Sequence, residues 1–239
     1  MLENCSRRLL GRAVLILLAV PLPAWGAPLL VKDINPAINP PPDYPLDLVE
    51  LNGILLFSAT DATNGTELWK SDGTASGTAM VKNIFPGSGS SITQGQAYFT
   101  KSGTRLFFVA DDGAHGEELW RSDGTAAGTV LVKDIHAGPV PLISPAFLTD
   151  VNGTLYFGVR DQAQVAWELW KSDGTTAGTV LVKGGFTQIP AGLTNFNGTL
   201  FFTSKDAAHG VELWKSDGTA AGTVLVKDIN PGTPSSEPL

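Results

Sequence analysis

Glutamate, tryptophan and aspartate can cleave glycosides, stack on sugars and ligate calcium, and in this chain they recur in a fixed order. The phrase Glu67-Leu68-Trp69-Lys70-Ser71-Asp72-Gly73-Thr74 returns at Glu118–Thr125 (with Arg121 in place of Lys), Glu168–Thr175 and Glu212–Thr219. Each chemistry asks for something that this recurrence does not supply. Glycoside cleavage needs two carboxylates with different roles at one site, whereas Glu67, Glu118, Glu168 and Glu212 stand one to a repeat. Calcium needs several oxygens converging on one ion, and no Asp-x-Asp-x-Asp-Gly run is present. Asp72, Asp123, Asp173 and Asp217 therefore read as structural turn residues, each carboxylate accepting N–H groups of its own turn beside a glycine that tolerates positive φ. Trp69, Trp120, Trp170 and Trp214, inside strands, read as packing between sheets.

Residues that differ between repeats are the better candidates for binding, because specificity lives in variable loops on a constant frame. His115 and His209 occupy equivalent loops three residues before the glutamate, where the other copies carry Asn64 and Val165. Trp167 lies outside the repeated phrase and reads as an exposed aromatic. His115, Trp167 and His209 are the candidate binding residues. No third ligand at metal spacing accompanies the two histidines, and His136 stands alone. With no Ser/His/Asp set and no phosphate loop, the sequence assigns no catalytic residue, no metal site and no cofactor, and the expectation is a protein that is not an enzyme.

The frame that positions these residues is itself repeated. Upstream of each phrase stands a second one: Asn52-Gly53-Ile54-Leu55-Leu56-Phe57, Ser102-Gly103-Thr104-Arg105-Leu106-Phe107, Asn152-Gly153-Thr154-Leu155-Tyr156-Phe157 and Asn197-Gly198-Thr199-Leu200-Phe201-Phe202. Asn-Gly between apolar runs is a strong hairpin signal. Each repeat then reads as four short strands; in the third they are expected over 147–151, 154–159, 167–171 and 180–183. Successive glutamates are 51, 50 and 44 residues apart, which is the length of a four-stranded propeller blade. Consecutive apolar residues, as in Leu200-Phe201-Phe202 and Val224-Leu225-Val226, bury both sheet faces, as a blade between two neighbours requires. The fold class expected is all-β, a β-propeller of four-stranded antiparallel blades with repeats at about 43–86, 92–138, 142–186 and 189–232. A β-solenoid is the alternative, but its coils are usually shorter and lack the Asn-Gly hairpin.

The phrase Glu-Leu-Trp-x-x-Asp-Gly-Thr-x-x-Gly-Thr resembles the ELWxxDGT repeat family of bacterial proteins. The resemblance spans roughly residues 29–232 and includes the later pairs Gly77-Thr78, Gly128-Thr129, Gly178-Thr179 and Gly222-Thr223. It implies large exported or surface proteins with a propeller-like fold. It implies no shared activity and brings no site residues. Ser71-Asp72-Gly73-Thr74 is also loosely similar to the Asp-box turn of sialidase-like propellers, without its residue order.

Residues 1–26 read as a signal peptide, with Arg7, Arg8 and Arg12 ahead of the apolar run Ala13–Val20 and small residues near Gly26. The expectation is export to the periplasm, cell surface or medium, with no stable membrane span after cleavage. The only cysteine, Cys5, lies in this segment, so the remainder must be held by packing and hydrogen bonds. That remainder carries 13 basic against 22 acidic side chains, a balance that argues against nucleic acid as a partner and leaves an unknown protein or glycan. Leu29–Ile34 reads as a leading fourth strand, since Leu30–Pro36 repeats Leu225–Pro231. Either four blades close a ring with a strand to spare, or the array is a piece of a longer one; the second reading is favoured, with self-association through open blade edges.

Overall fold

The computed structural model describes residues 29–35, 45–93, 97–135 and 145–236; the expected signal segment 1–26 and His136 lie outside them. Two compact units are present. Of the first, residues 1–30, only Leu29 and Leu30 are described, both exposed. The second unit spans residues 31–239.

The repeats form four antiparallel sheets of four strands each, in simple meander order. The first holds β1 (Leu46–Leu51), β2 (Ile54–Asp61), β3 (Gly65–Ser71) and β4 (Ala79–Lys82). The second holds β5 (Thr100–Ser102), β6 (Arg105–Asp111), β7 (Glu117–Ser122) and β8 (Val130–Lys133). The third holds β9 (Ala146–Val151), β10 (Thr154–Arg160), β11 (Trp167–Ser172) and β12 (Val180–Phe186). The fourth holds β13 (Ala191–Phe196), β14 (Thr199–Ser204), β15 (Glu212–Ser216) and β16 (Val224–Lys227). This is the expected all-β, propeller-like architecture, and the described residues contain no helix. In the third blade the strands fall within a residue of expectation, except that β12 continues to Phe186.

The hairpins form where Asn-Gly places two consecutive residues at positive φ, as at Asn152 (53°) and Gly153 (85°). The second repeat departs from the sequence reading. Ser102 pairs with Arg105, so its turn is Gly103-Thr104 and not Ser102-Gly103. Thr104 thus takes the place held by Gly53, Gly153 and Gly198 in the other blades.

Burial of both sheet faces stacks the blades. One core cluster joins Leu56, Leu68 and Ile84 of the first blade to Leu106, Phe108 and Trp120 of the second. A second joins Phe107 and Leu119 to Leu155 and Phe157, and a third joins Leu169 and Phe186 to Phe202 and Trp214. The first strands β1, β5, β9 and β13 meet one another in that order. On the other face of the first blade, Phe57 and Trp69 are covered in part by Ile34, but residues 29–34, expected as a leading strand, form no strand.

Every residue of the Ser-Asp-Gly-Thr-x-x-Gly-Thr turn has a mechanical reason. In the third blade Asp173 Oδ1 accepts from Thr175 N (2.8 Å) and Thr175 Oγ1 (2.7 Å). Thr175 Oγ1 in turn accepts from Gly178 N at 2.9 Å. Ser172 Oγ accepts from Gly174 N and shares a 2.7 Å hydrogen bond with the buried Thr179 hydroxyl. Thr179 Oγ1 donates to Thr175 O. A Cβ on Gly178 would fall within the Asp173 carboxylate, so a side chain there forces the carboxylate off its hydrogen bonds. The same bonds recur in the turns of Asp72, Asp123 and Asp217. Gly178→Ala is expected to cost about 1–2 kcal/mol, the hydrogen bonds that Asp173 must release. In an Asp173→Ala background the same change should cost far less, which a double-mutant cycle by urea unfolding will read.

Candidate functional site

A meander of four strands sends its turns to two ends. The Asn-Gly hairpins and the Ser-Asp-Gly-Thr turns share one end of each blade, and the loop between the second and third strands lies at the other, with the connection to the next blade. The structure places His115, Trp167 and His209 at that second, loop end.

Each of these loops is anchored by an aspartate at or just after the end of the second strand. Asp61 Oδ1 accepts from Thr63 N and Asn64 N. Asp112 Oδ1 accepts from Ala114 N (2.9 Å) and His115 N (3.0 Å), while Oδ2 lies 2.8 Å from His115 Nδ1. Asp206 Oδ1 repeats this with Ala208 N, His209 N and His209 Nδ1. The loop from Asp161 to Glu168 is one residue longer, so counting from the aspartate matches the histidines to Gln164 and Asn64, not to Val165. The hydrogen bond to Asp112, opposed by burial and reinforced by the carboxylate's charge, pushes the His115 imidazole up from its ordinary value, and Asp206 does the same for His209. Both histidines are thus loop fasteners whose side chains stay 40% and 32% exposed.

Trp167 opens β11 half-buried, against the cluster of Leu169 and Phe186, with the Arg160 guanidinium 5.4 Å over its ring. One face of the indole is therefore taken by a cation, and it is less open than the sequence suggested. No hydrogen bond, ion pair or ring contact among the described residues joins His115, Trp167 and His209 to one another, and no group of three metal-ligating side chains forms among them.

The repeated residues serve the frame. Glu67 is fully buried and accepts from Ile84 N, Phe85 N and Ser91 Oγ, pinning the chain that leads into the next blade. Burial pushes its carboxyl up from the ordinary range, against those donors. Glu212 holds Ile229 N, Ser236 N and Ser236 Oγ; burial opposes its charge, but the Ser236 hydroxyl and the two amides outweigh it and keep the carboxyl low. Three of the four repeated tryptophans lie between blades under lysines of the preceding one. Lys82, Lys133 and Lys183 stand 5.5–5.8 Å from the rings of Trp120, Trp170 and Trp214. The same ammonium groups donate to Thr129 O, Thr179 O and Thr223 O at 2.8–2.9 Å.

One feature of the turn end escaped the sequence reading. A cavity of about 260 Å³ is lined by Thr104, Arg105, Arg121, Asp123 and Gly128. Its signal was present, since Arg121 replaces a lysine and Arg105 stands where the other blades have Ile54, Thr154 and Thr199. What hid it was register: only the strand pairing shows that Thr104 and Arg105 are departures from the repeat.

No family model matches the chain, and no curated protein matches it. Among solved structures it is similar to a puromycin hydrolase mutant in complex, at a TM-score of 0.51 and 17% identity over 77% of this chain and 28% of that one. It is also similar to the AtxE2 isopeptidase with a bound astexin (TM-score 0.45, 11% identity, 80% of this chain and 34% of that one). A third is an α-L-arabinofuranosidase from Clostridium thermocellum (TM-score 0.31, 16% identity, 79% and 73%). The chain spans about a third or less of the first two proteins. At these identities the likeness to the hydrolase shows a propeller-like fold and nothing about activity.

The histidine geometry gives a direct check. By NMR titration His115 and His209 should each titrate above 6.5, the ordinary value. Asp112→Asn should bring His115 back toward it and leave His209 alone. Because the folded value is raised, these pairs add stability that is complete below the unfolded value and fades as pH rises through the folded one.

Proposed function

We propose that this protein is an exported, non-enzymatic repeat scaffold of the ELWxxDGT type, which meets a protein or glycan partner through the loop end carrying His115, Trp167 and His209. The observation that carries this reading is the division of labour among side chains. Those that recur, and that could hydrolyse, stack or ligate, are engaged within the frame: Glu67 and Glu118 hold the chain into the next blade, Glu168 accepts from Trp170 and Glu212 holds the segment after the fourth blade, the aspartates brace turns, and Trp120, Trp170 and Trp214 pack under lysines. Those that vary stand at the loop end, His115 and His209 on loops whose position the frame fixes and Trp167, half-buried, at the start of β11. An acidic exterior supports partners other than nucleic acid. The test is to probe the purified full chain on a glycan array and against aryl glycosides. Retention of a glycan that is lost in a His115→Ala, Trp167→Ala, His209→Ala triple variant is expected. Turnover of any glycoside would overturn the reading in favour of a glycan-active enzyme.

A second reading, a structural array unit, is favoured by the outer face of the fourth blade. Lys215 and Lys227 find no acceptor among the described residues, and Phe196, Val224 and Val226 are exposed there. Yet on the first blade Lys32 donates to Thr78 O at 2.7 Å, as Lys183 does to Thr223 O one blade along. Val31–Asn35 and Val226–Asn230 have the same sequence, so the first blade already holds the segment type that the fourth displays. Light scattering separates the two readings: oligomers dispersed by Val226→Glu support the array, and a monomer supports the loop-binding scaffold.

A further inference from the structure

We infer that the cavity at the turn end of the second blade, lined by Thr104, Arg105, Arg121, Asp123 and Gly128, is a binding site for an oxyanion, the carboxylate or sulfate of an acidic ligand, held by Arg121 and Arg105.

Neighbouring blades are clamped at the turn end by a cation that reaches a backbone carbonyl. Between the first and second blades Lys70 Nζ donates to Gly124 O at 3.1 Å, and between the third and fourth Lys171 Nζ donates to Gly218 O at 2.8 Å. In each case the cation stands on the third strand and the acceptor is the turn glycine of the next blade. The junction between the second and third blades is built differently. The third-strand cation is Arg121, and the clamp has passed to Arg105 on the second strand, whose Nη1 donates to Asp173 O at 3.2 Å. Arg121 is thereby released. Its Nε is buried with no hydrogen-bond partner, and Arg121 lines the cavity.

Three departures from the repeat, Thr104, Arg105 and Arg121, converge on this one cavity. A frame whose other repeated side chains are consumed by structure has here broken its symmetry in three places at once. Chemically they supply a planar fork suited to a two-oxygen acceptor, a second cation and a hydroxyl. Asp123 also lines the cavity, but its Oδ1 is engaged by Thr125 N and Oγ1, and the two arginines leave the site net positive on an acidic protein. A volume of about 260 Å³ accommodates a small acid or one acidic sugar residue. A buried arginine Nε left without an acceptor is an incomplete hydrogen-bonding arrangement that an oxyanion completes.

The site is at the opposite end of the blade from His115 and His209, so it stands or falls separately from the loop-binding reading. The test is calorimetric titration of the full chain with glucuronate, sodium sulfate and, as a neutral control, glucose. Glucuronate or sulfate should bind and glucose should not. Arg121→Lys restores the residue of the other blades and keeps the charge, so the chain should melt at or above the parent temperature. Its affinity should nevertheless fall at least about tenfold, as expected for losing a charge-assisted hydrogen bond. Arg121→Gln, which removes the charge, should abolish binding. Absence of binding by both anions, equal binding of glucose, or unchanged affinity in Arg121→Lys would each overturn the assignment.

Discussion

A lysine that reaches from one blade to a backbone carbonyl of the next is the interaction on which this architecture turns. A four-stranded sheet with two apolar faces cannot stand alone in water, and stacking alone does not fix which part of one sheet meets which part of its neighbour. Lys82, Lys133 and Lys183 supply that register. Each ammonium lies over the tryptophan of the following blade and donates to the threonine carbonyl that ends its turn. A cation over an aromatic face and a charge-assisted hydrogen bond are both directional, whereas the apolar contacts between the same sheets are not.

The turn that receives the lysine must be rigid for the clamp to have a fixed target, and it is rigid without a disulfide. Serine, aspartate and two threonines close a ring of side-chain hydrogen bonds around the backbone, and the glycines stand where a Cβ has no room or where φ is positive. The turn aspartates, of a residue type that can ligate calcium, read from the sequence as structural, and their hydrogen bonds leave them little freedom to be anything else. Freedom is left to the loops beyond the second strands and to the one junction where an arginine has been relieved of clamping.

Much of this was legible in the sequence because the physics is local. Asn-Gly hairpins, the spacing of the glutamates and the doubly apolar strands lead directly to four-stranded blades, and the aspartate turns follow from Asx hydrogen bonding. The illegible parts depend on register and on partners far along the chain. The shift of the second hairpin to Gly103-Thr104 follows from the pairing of Ser102 with Arg105, which Ser-Gly in the sequence does not announce. The half-burial of Trp167 follows from Arg160 and Phe186. The role of the Val-Lys ending of each fourth strand needs the next blade to be in place, 40 to 47 residues away.

The most direct measurement compares Lys133→Met with Lys227→Met by urea unfolding. Lys133 clamps Thr179 O and covers Trp170, while Lys227, at the equivalent position of the fourth blade, meets no acceptor among the described residues. A loss of about 1–2 kcal/mol for the first, allowing for its partial exposure, and no change for the second is the expected result. Equal effects of the two substitutions would contradict a fold registered by lysine clamps from blade to blade.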